Sequence, residues 1–272
     1  MPSVGPGDIQ RSSALGPRLL RLRRTADASP LSLCDALLDD DALGVLCGPG
    51  LDPEQQDALG RLLVRPPSVR RPLHPALPRS EPGQVIHVAD YAGKDQTVQH
   101  LIDWATSLGL SHRATAAMEQ AVDELLLNAL FDAPCDATGA PRYVALSPRD
   151  RLSIRVPAGE EAEVRFAADA HRIVVAVRDR FGTLRRSTVL SYFRRCALAQ
   201  IARTSPLEQK VGGSGVGLFL VLGTASELFF RLRAGHSTEV VYTLYRQRPF
   251  PLRALLLEEL PSLEPGHAGR ST

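Results

Sequence analysis

Glu124 and Asn128 stand four residues apart in the run Asp123-Glu124-Leu125-Leu126-Leu127-Asn128-Ala129. If that run is helical, the two side chains share one face, about 100° around from the Leu125 stripe. A carboxylate and an amide beside an otherwise apolar helix surface can serve a ligand; the pair by itself also fits a solvated helix face. A second group is Asp179, which follows the strand pattern Arg172–Arg178 and precedes Arg180-Phe181-Gly182. A buried carboxylate there accepts a hydrogen bond from an exocyclic amino group. The third is Gly212-Gly213-Ser214-Gly215-Val216-Gly217-Leu218, ahead of an apolar helical segment. Glycines at 213, 215 and 217 permit positive φ and close approach of the backbone to a ligand. The amides at the mouth of the next helix then point at an anion, aided by the helix dipole. A plain flexible loop has the same composition. The spacing G-x-G-x-G-L is not that of a dinucleotide-binding G-x-G-x-x-G, and it comes late in the chain.

The elements that must position these groups are legible from periodicity. Gln84–Val88 predicts a strand, and Val98, Leu101, Ile102, Ala105 and Leu108 predict a helix capped by Asp95. Gly109 predicts its stop and Ser111 the N-cap of the next helix, about 112–131. That helix carries two adjacent stripes, Ala117-Ala121-Leu125-Ala129 and Met118-Val122-Leu126-Leu130, as expected of a central helix lying on a sheet. Strands are expected at Tyr143–Leu146, Ala162–Phe166, Arg172–Arg178, Glu227–Leu232 and Glu239–Tyr245, with a hairpin turn at Ala168–Ala170. Helices are expected over Ser187–Arg203 and Gly215–Gly223. This order predicts helices packed on one face of a mixed sheet, an α+β fold.

A helix with E-x-x-x-N, a strand ending in Asp with a glycine turn, and G-x-G-x-G-L opening a helix together resemble the GHKL superfamily, which includes gyrase, histidine kinases and mismatch-repair ATPases. Within it, Asp123–Ala129 and Gly213–Leu220 look like the corresponding boxes of the anti-sigma serine kinases, over residues 84–245. The resemblance implies a two-layer α/β sandwich of the Bergerat type, with ATP and Mg²⁺ as cofactors. It implies that Asn128 holds the Mg²⁺ that bridges the phosphates and that Glu124 is the general base. Asp179 binds the adenine amino group and Gly182 shapes the adenine pocket. Gly213, Ser214, Gly215, Val216, Gly217 and Leu218 run along the phosphates. Thr183–Gly212 forms a lid from which Lys210 or Arg203 reaches them. The sequence departs from the family at three positions. Phe181 and Thr183 stand where the first box has glycines, and Asp132 stands four residues after Asn128, where histidine or lysine is usual. A like charge about 6 Å from a phosphate costs on the order of 3 kcal/mol at an effective dielectric near 20. His112 lacks the acidic neighbour of a phospho-accepting histidine, and Arg185, Arg186, Arg194 and Arg195 read as a wet face of the lid.

The rest of the chain bounds the reading. Its 272 residues carry a net charge of +2, which provides no strong field toward nucleic acid or anionic lipid. Lys94 and Lys210 are its only lysines; this arginine bias suggests a GC-rich bacterial genome. Cys34, Cys47, Cys135 and Cys196 are not at metal-ligand spacing, so reduced thiols are expected. No run of about 18 apolar residues predicts a membrane span. Five arginines in the first 24 residues lack a secretory signal's apolar centre. Residues 1–30 read as disordered. Residues 31–65 read as a small regulatory or docking region, with two short helices, one over Asp52–Leu63, around a strand at Leu43–Cys47. Residues 66–83, with six prolines, read as a linker. An ATP-binding domain is expected over 84–246, then a tail, 247–272, with a short helix at Leu252–Leu260.

The expected function is a cytoplasmic protein that transfers the γ-phosphoryl group of Mg·ATP to a Ser or Thr of a regulatory partner, sigma-factor-like, anti-anti-sigma-like or another signalling protein. A homodimer is compatible with this. Alternatives are a nucleotide-gated interaction module without catalysis and a detached histidine-kinase-like catalytic domain.

Overall fold

The structure is a computed structural model that describes residues 22–25, 29–37, 44–47, 84–203, 216–247 and 252–260. Eight strands form one mixed sheet: β1 (Leu22–Thr25), β2 (Gly44–Cys47), β3 (Gln84–Val88), β4 (Ala162–Ala168), β5 (Arg172–Arg178), β6 (Glu227–Arg233), β7 (Ser237–Tyr245) and β8 (Ala254–Leu260). Their order across the sheet is β1-β2-β8-β6-β7-β5-β4-β3. The pairs β1–β2 and β6–β8 are parallel and the others antiparallel. The helices are α1 (Pro30–Leu37), α2 (Tyr91–Ser107), α3 (His112–Leu127), the short α4 (Pro148–Arg151), α5 (Arg186–Ala202) and α6 (Val216–Thr224), with a π-helical turn at Asn128–Asp132.

Alternate strand residues face the core: Val164 and Phe166, Ile173, Val175 and Val177, Leu228 and Phe230, Val240 and Tyr242. They pack with Met118, Val122, Leu125 and Leu126 of α3 and with Leu218, Val221 and Leu222 of α6. Both predicted stripes of α3 contribute buried residues, because the helix is wedged between the sheet, α2 and α6. Each fully buried Leu or Met contributes about 2 kcal/mol. Ser111 caps α3 by accepting from the Ala114 amide (3.4 Å). Among the described residues no helix is long and apolar enough to cross a membrane.

Several expectations need correction. Asp90, not Asp95, caps α2, accepting from the Gly93 amide at 2.8 Å. The helix therefore begins a turn earlier, and Asp95 pairs with Lys94. Tyr143–Leu146 forms turns rather than a strand; its amides and carbonyls close locally, as in Leu146 N–H to Tyr143 O. The hairpin turn falls at Asp169–His171, where Asp169 Oδ1 accepts from the His171 and Arg172 amides. Ala254–Leu260, expected as helix, is strand β8, sandwiched between β2 and β6 and buried on both faces. A short apolar run of that kind has no alternation to separate strand from helix. Leu22–Thr25, expected as disordered, is a strand paired to β2. One sheet thus takes strands from the N-terminal stretch, the small region after it, the expected ATP-binding domain and the tail. Much of Thr183–Gly212, expected as a lid, is α5, whose Val189, Leu190, Phe193, Cys196 and Ala197 are buried. Arg186, expected on a wet face, is buried and donates to the carbonyls of Leu257 (2.8 Å) and Leu37 (2.7 Å). The expected helix Asp52–Leu63 and the linker 66–83 lie outside the described residues.

On the sheet face away from the helices, register brings a row of charges together: Glu258, Arg231, Glu239, Arg178, Glu163 and His87, one from each of six adjacent strands. The signs alternate, so each carboxylate stands opposite an arginine. Arg231 Nε bonds Glu258 Oε2 at 2.8 Å, with the Glu258 side chain 7% exposed. Arg231→Met removes that charged hydrogen bond while Arg233 still acts on Glu258, and stability is expected to fall by about 1–3 kcal/mol. Urea denaturation checks this; an unchanged midpoint contradicts a structural role for the row.

Candidate functional site

Helices α3 and α6 run antiparallel. Glu124, in the last turn of α3, meets Gly217 in the first turn of α6. At the other end, Arg113, Ala116 and Gln120 share a groove of about 560 Å³ with Leu222, Gly223 and Thr224. That groove thus lies at the opposite end of α3 from Glu124 and Asn128. A methyl built on Gly217 would lie 2.6 Å from the Glu124 Cδ and would collide with Oε2. Glycine is thus what admits the carboxylate to the α6 turn. Among the described residues the Glu124 carboxylate has no hydrogen bond or ion pair. Burial pushes it above the ordinary glutamate range, the neighbouring Asp123 and Asp132 push the same way, and Lys94 opposes them.

Gly217→Ala tests this contact. The obstructing atoms are the far end of a flexible side chain, and alanine favours helix by about 1 kcal/mol. Stability is therefore expected to hold within about 1 kcal/mol while the Glu124 carboxylate is displaced. The side-chain ¹³C resonance of Glu124 reports the displacement; an unshifted resonance contradicts the contact.

Asn128 closes α3 and begins the π-helical turn, in which the Ala133 amide donates to the Asn128 carbonyl (2.8 Å). Such turns recur at functional sites. Its side-chain Nδ2 is buried with no hydrogen-bond partner. A buried amide left unsatisfied costs about 1–3 kcal/mol, so it calls for an explanation. Asp132, at the end of the turn, is held above the usual carboxylate range by burial, opposed by Arg151, whose Nη1 lies 3.6 Å away.

Asp179 is buried at the end of β5. Its Oδ1 accepts from the amides of Phe181 (2.8 Å), Gly182 (2.9 Å) and Thr238 (3.2 Å). Burial pushes its carboxyl up and those amides pull it down; the net direction is up. Gly182 has φ +59° and sits against the β6–β7 turn, where a Cβ would collide with the Arg233 carbonyl and lie 2.6 Å from the Ser237 nitrogen. Thr183 Oγ1 donates to the Ala133 carbonyl (3.3 Å), which ties this loop to the turn that begins at Asn128. Phe181, standing where a glycine was expected, lies under the Arg142 guanidinium, 5.2 Å from its ring centre. Arg142 is in turn held by Glu160 at 2.6 Å.

The residues singled out from sequence thus fall into two linked groups: Glu124 with Gly217, and Asp179 and Gly182 with the turn after Asn128. Val216 and Leu218 lie in the first turn of α6. Arg203 is exposed at the end of α5 in left-handed backbone (φ 53°), with no hydrogen bond or ion pair to either group among the described residues. Lys210, Gly213, Ser214 and Gly215 lie outside the described residues. Among the described residues no group of three or more His, Cys, Asp or Glu side chains is placed to hold a metal ion.

Sequence reasoning missed Lys94. It is buried on α2, its ammonium reaching Asp123 and Asp95 (2.9 Å) and lying 4.5 Å over the Tyr91 ring. Burial lowers its proton affinity, but the two carboxylates outweigh that and hold the ammonium charged. The available signal was compositional: one of only two lysines in a chain that otherwise uses arginine.

No family model matches the chain. No curated protein matches it. Among solved structures it is similar to a chain of the crystal structure of the SiaB-SiaC complex from Pseudomonas aeruginosa, with a TM-score of 0.36 and 14% identity, covering 59% of this chain and 88% of that one. At that TM-score the likeness carries no weight for function.

Proposed function

We propose that the chain is a GHKL-type ATP-binding protein that transfers the γ-phosphoryl group of Mg·ATP to a serine or threonine of a regulatory partner protein in a signalling or partner-switching pathway. The observation that carries this reading is the contact of an unpaired, half-buried carboxylate, Glu124, with the first turn of α6, one helical turn before the orphaned amide of Asn128. An unpaired carboxylate with raised proton affinity suits a general base. The amides at the start of α6 suit phosphate oxygens, and Asp179 suits an exocyclic amino group.

In the reaction, the partner's hydroxyl oxygen bonds the γ-phosphorus as the bond to the ADP oxygen breaks, and the hydroxyl proton passes to Glu124. Asn128 is the residue that would hold Mg²⁺; a flip of its amide exchanges nitrogen for oxygen, and Mg²⁺ when bound neutralises phosphate charge. Without a cation, Asp123, Glu124 and Asp132 leave the α3 end acidic, with Lys94 and Arg151 as the balancing charges.

Incubation with ATP labelled at the γ position and candidate partners, sigma-factor-like or anti-anti-sigma-like proteins first, tests the proposal. Label on the partner that survives acid and is lost in alkali supports it. Label lost in acid and kept in alkali indicates phosphohistidine and a detached sensor-kinase domain instead. A second reading, a nucleotide-gated interaction module, draws on Phe181 in place of a glycine and on the Asp132 carboxyl beside Asn128. Mg·ATP binding without transfer or turnover selects it.

A further inference from the structure

Five large apolar side chains are exposed among the described residues, and three of them, Leu198, Ile201 and Leu220, lie on α5 and α6, which pack against each other. Leu198 is 50% exposed and Ile201 70%. Ser187, Ser191, Arg194, Leu198 and Ile201 are all exposed and recur at alternating spacings of four and three, so they form one outward stripe along α5. Along α5 itself the charge has a single sign, and the described acidic residue beside it is Asp35 of α1, which packs against α5. Between Asp179 and Glu208 there is no acidic residue, and there are six arginines. The fold uses some of these: Arg185 donates to the Gly182 and Leu184 carbonyls, Arg186 to those of Leu257 and Leu37, and Arg195 lies over the Tyr192 ring. Arg194 and Arg203 flank the apolar end of the stripe, and both are exposed.

We propose that this stripe of α5, with Leu220, is a docking surface for an acidic amphipathic helix of a partner protein. Leu198, Ile201 and Leu220 receive the apolar positions of that helix, and Arg194 and Arg203 face its carboxylates. The charge pattern selects this occupant. A two-fold pairing with a second copy sets arginines against arginines, since the stripe offers no carboxylate. Two aliphatic side chains at the end of α5 and one on α6 give too small an apolar face to lie in a membrane. The surface is separate from the nucleotide reading and is tested without nucleotide.

The test uses the full chain and a synthetic helical peptide of about 18 residues, with leucine at positions i, i+3, i+4 and i+7 and glutamate on the other face. Its control is a scrambled peptide of the same composition. The designed peptide should bind about tenfold tighter than the control. Binding should weaken about tenfold in the Leu198→Ser, Ile201→Ser double variant and in Arg194→Glu, and should weaken with added salt. Amide NMR shifts should centre on residues 194–203 and 220. No binding, equal binding of the scrambled peptide, or shifts centred elsewhere overturns the proposal. A dimer in sedimentation that the double variant abolishes overturns it in favour of a second copy. Preference for phosphatidylserine vesicles over the peptide overturns it in favour of a membrane surface.

Discussion

Gly182→Ala is expected to destabilise the fold by about 3–5 kcal/mol, a large part of the roughly 5–15 kcal/mol that holds a domain together. Two costs add. The left-handed backbone (φ +59°) costs alanine about 1 kcal/mol. The methyl then meets backbone, the Arg233 carbonyl and the Ser237 and His236 nitrogens (2.6 and 2.8 Å), none of which can swing away as a side chain could. Relieving that crowding parts the loop after β5 from the β6–β7 turn, and with it the amides that hold Asp179. Overpacking of this kind costs about 1–3 kcal/mol and more when backbone must move. Thermal and urea unfolding check the value. A variant within about 1 kcal/mol of wild type contradicts the close approach.

Glu124→Gln is expected to lower phosphoryl transfer by about 10²–10⁴-fold, the range a positioned general base contributes. Its stability should move the other way. Because burial raises the Glu124 carboxyl, the folded state binds its proton more readily than the unfolded state does. Ionised Glu124 therefore weakens the fold: the penalty is absent below the unfolded glutamate pKa and complete once pH exceeds the raised folded value. Glutamine removes the penalty, so at neutral pH the variant should melt no lower than wild type. Transfer assays and calorimetric scans on the same preparations separate the cases. Lost activity with a lowered melting temperature indicates a structural role; unchanged transfer rejects Glu124 as base.

Much of what positions the site was legible in the chain because local signals agreed there. Arg172–Arg178 was bounded correctly, since an apolar run of strand length lies between an Asp-centred turn and Asp179. Helix α3 was read from two stripes and a serine cap. Both kinds of failure have physical causes. β8 is buried on both faces and shows no period, and β1 is four residues whose pairing depends on a strand nineteen residues later. The charge row on the sheet and the Lys94 link to Asp123 are long-range facts of register and packing, invisible until strands and helices are set side by side. The contact of Glu124 with Gly217 also joins distant segments, and it was anticipated only as an order of motifs.

Calorimetric titration of wild type and Asp179→Asn with Mg·ATP tests the proposed nucleotide pocket most directly. Asparagine keeps an oxygen able to accept from the Phe181, Gly182 and Thr238 amides and cannot ionise in this buried place, so the fold should be as stable or more so. Wild type should bind, and the variant should bind at least about tenfold more weakly, a loss of about 1.4 kcal/mol, because the second carboxylate oxygen, proposed to accept from the base, becomes an NH2 donor. No binding by wild type, or equal affinity in a folded Asp179→Asn, contradicts the pocket on which the proposed function rests.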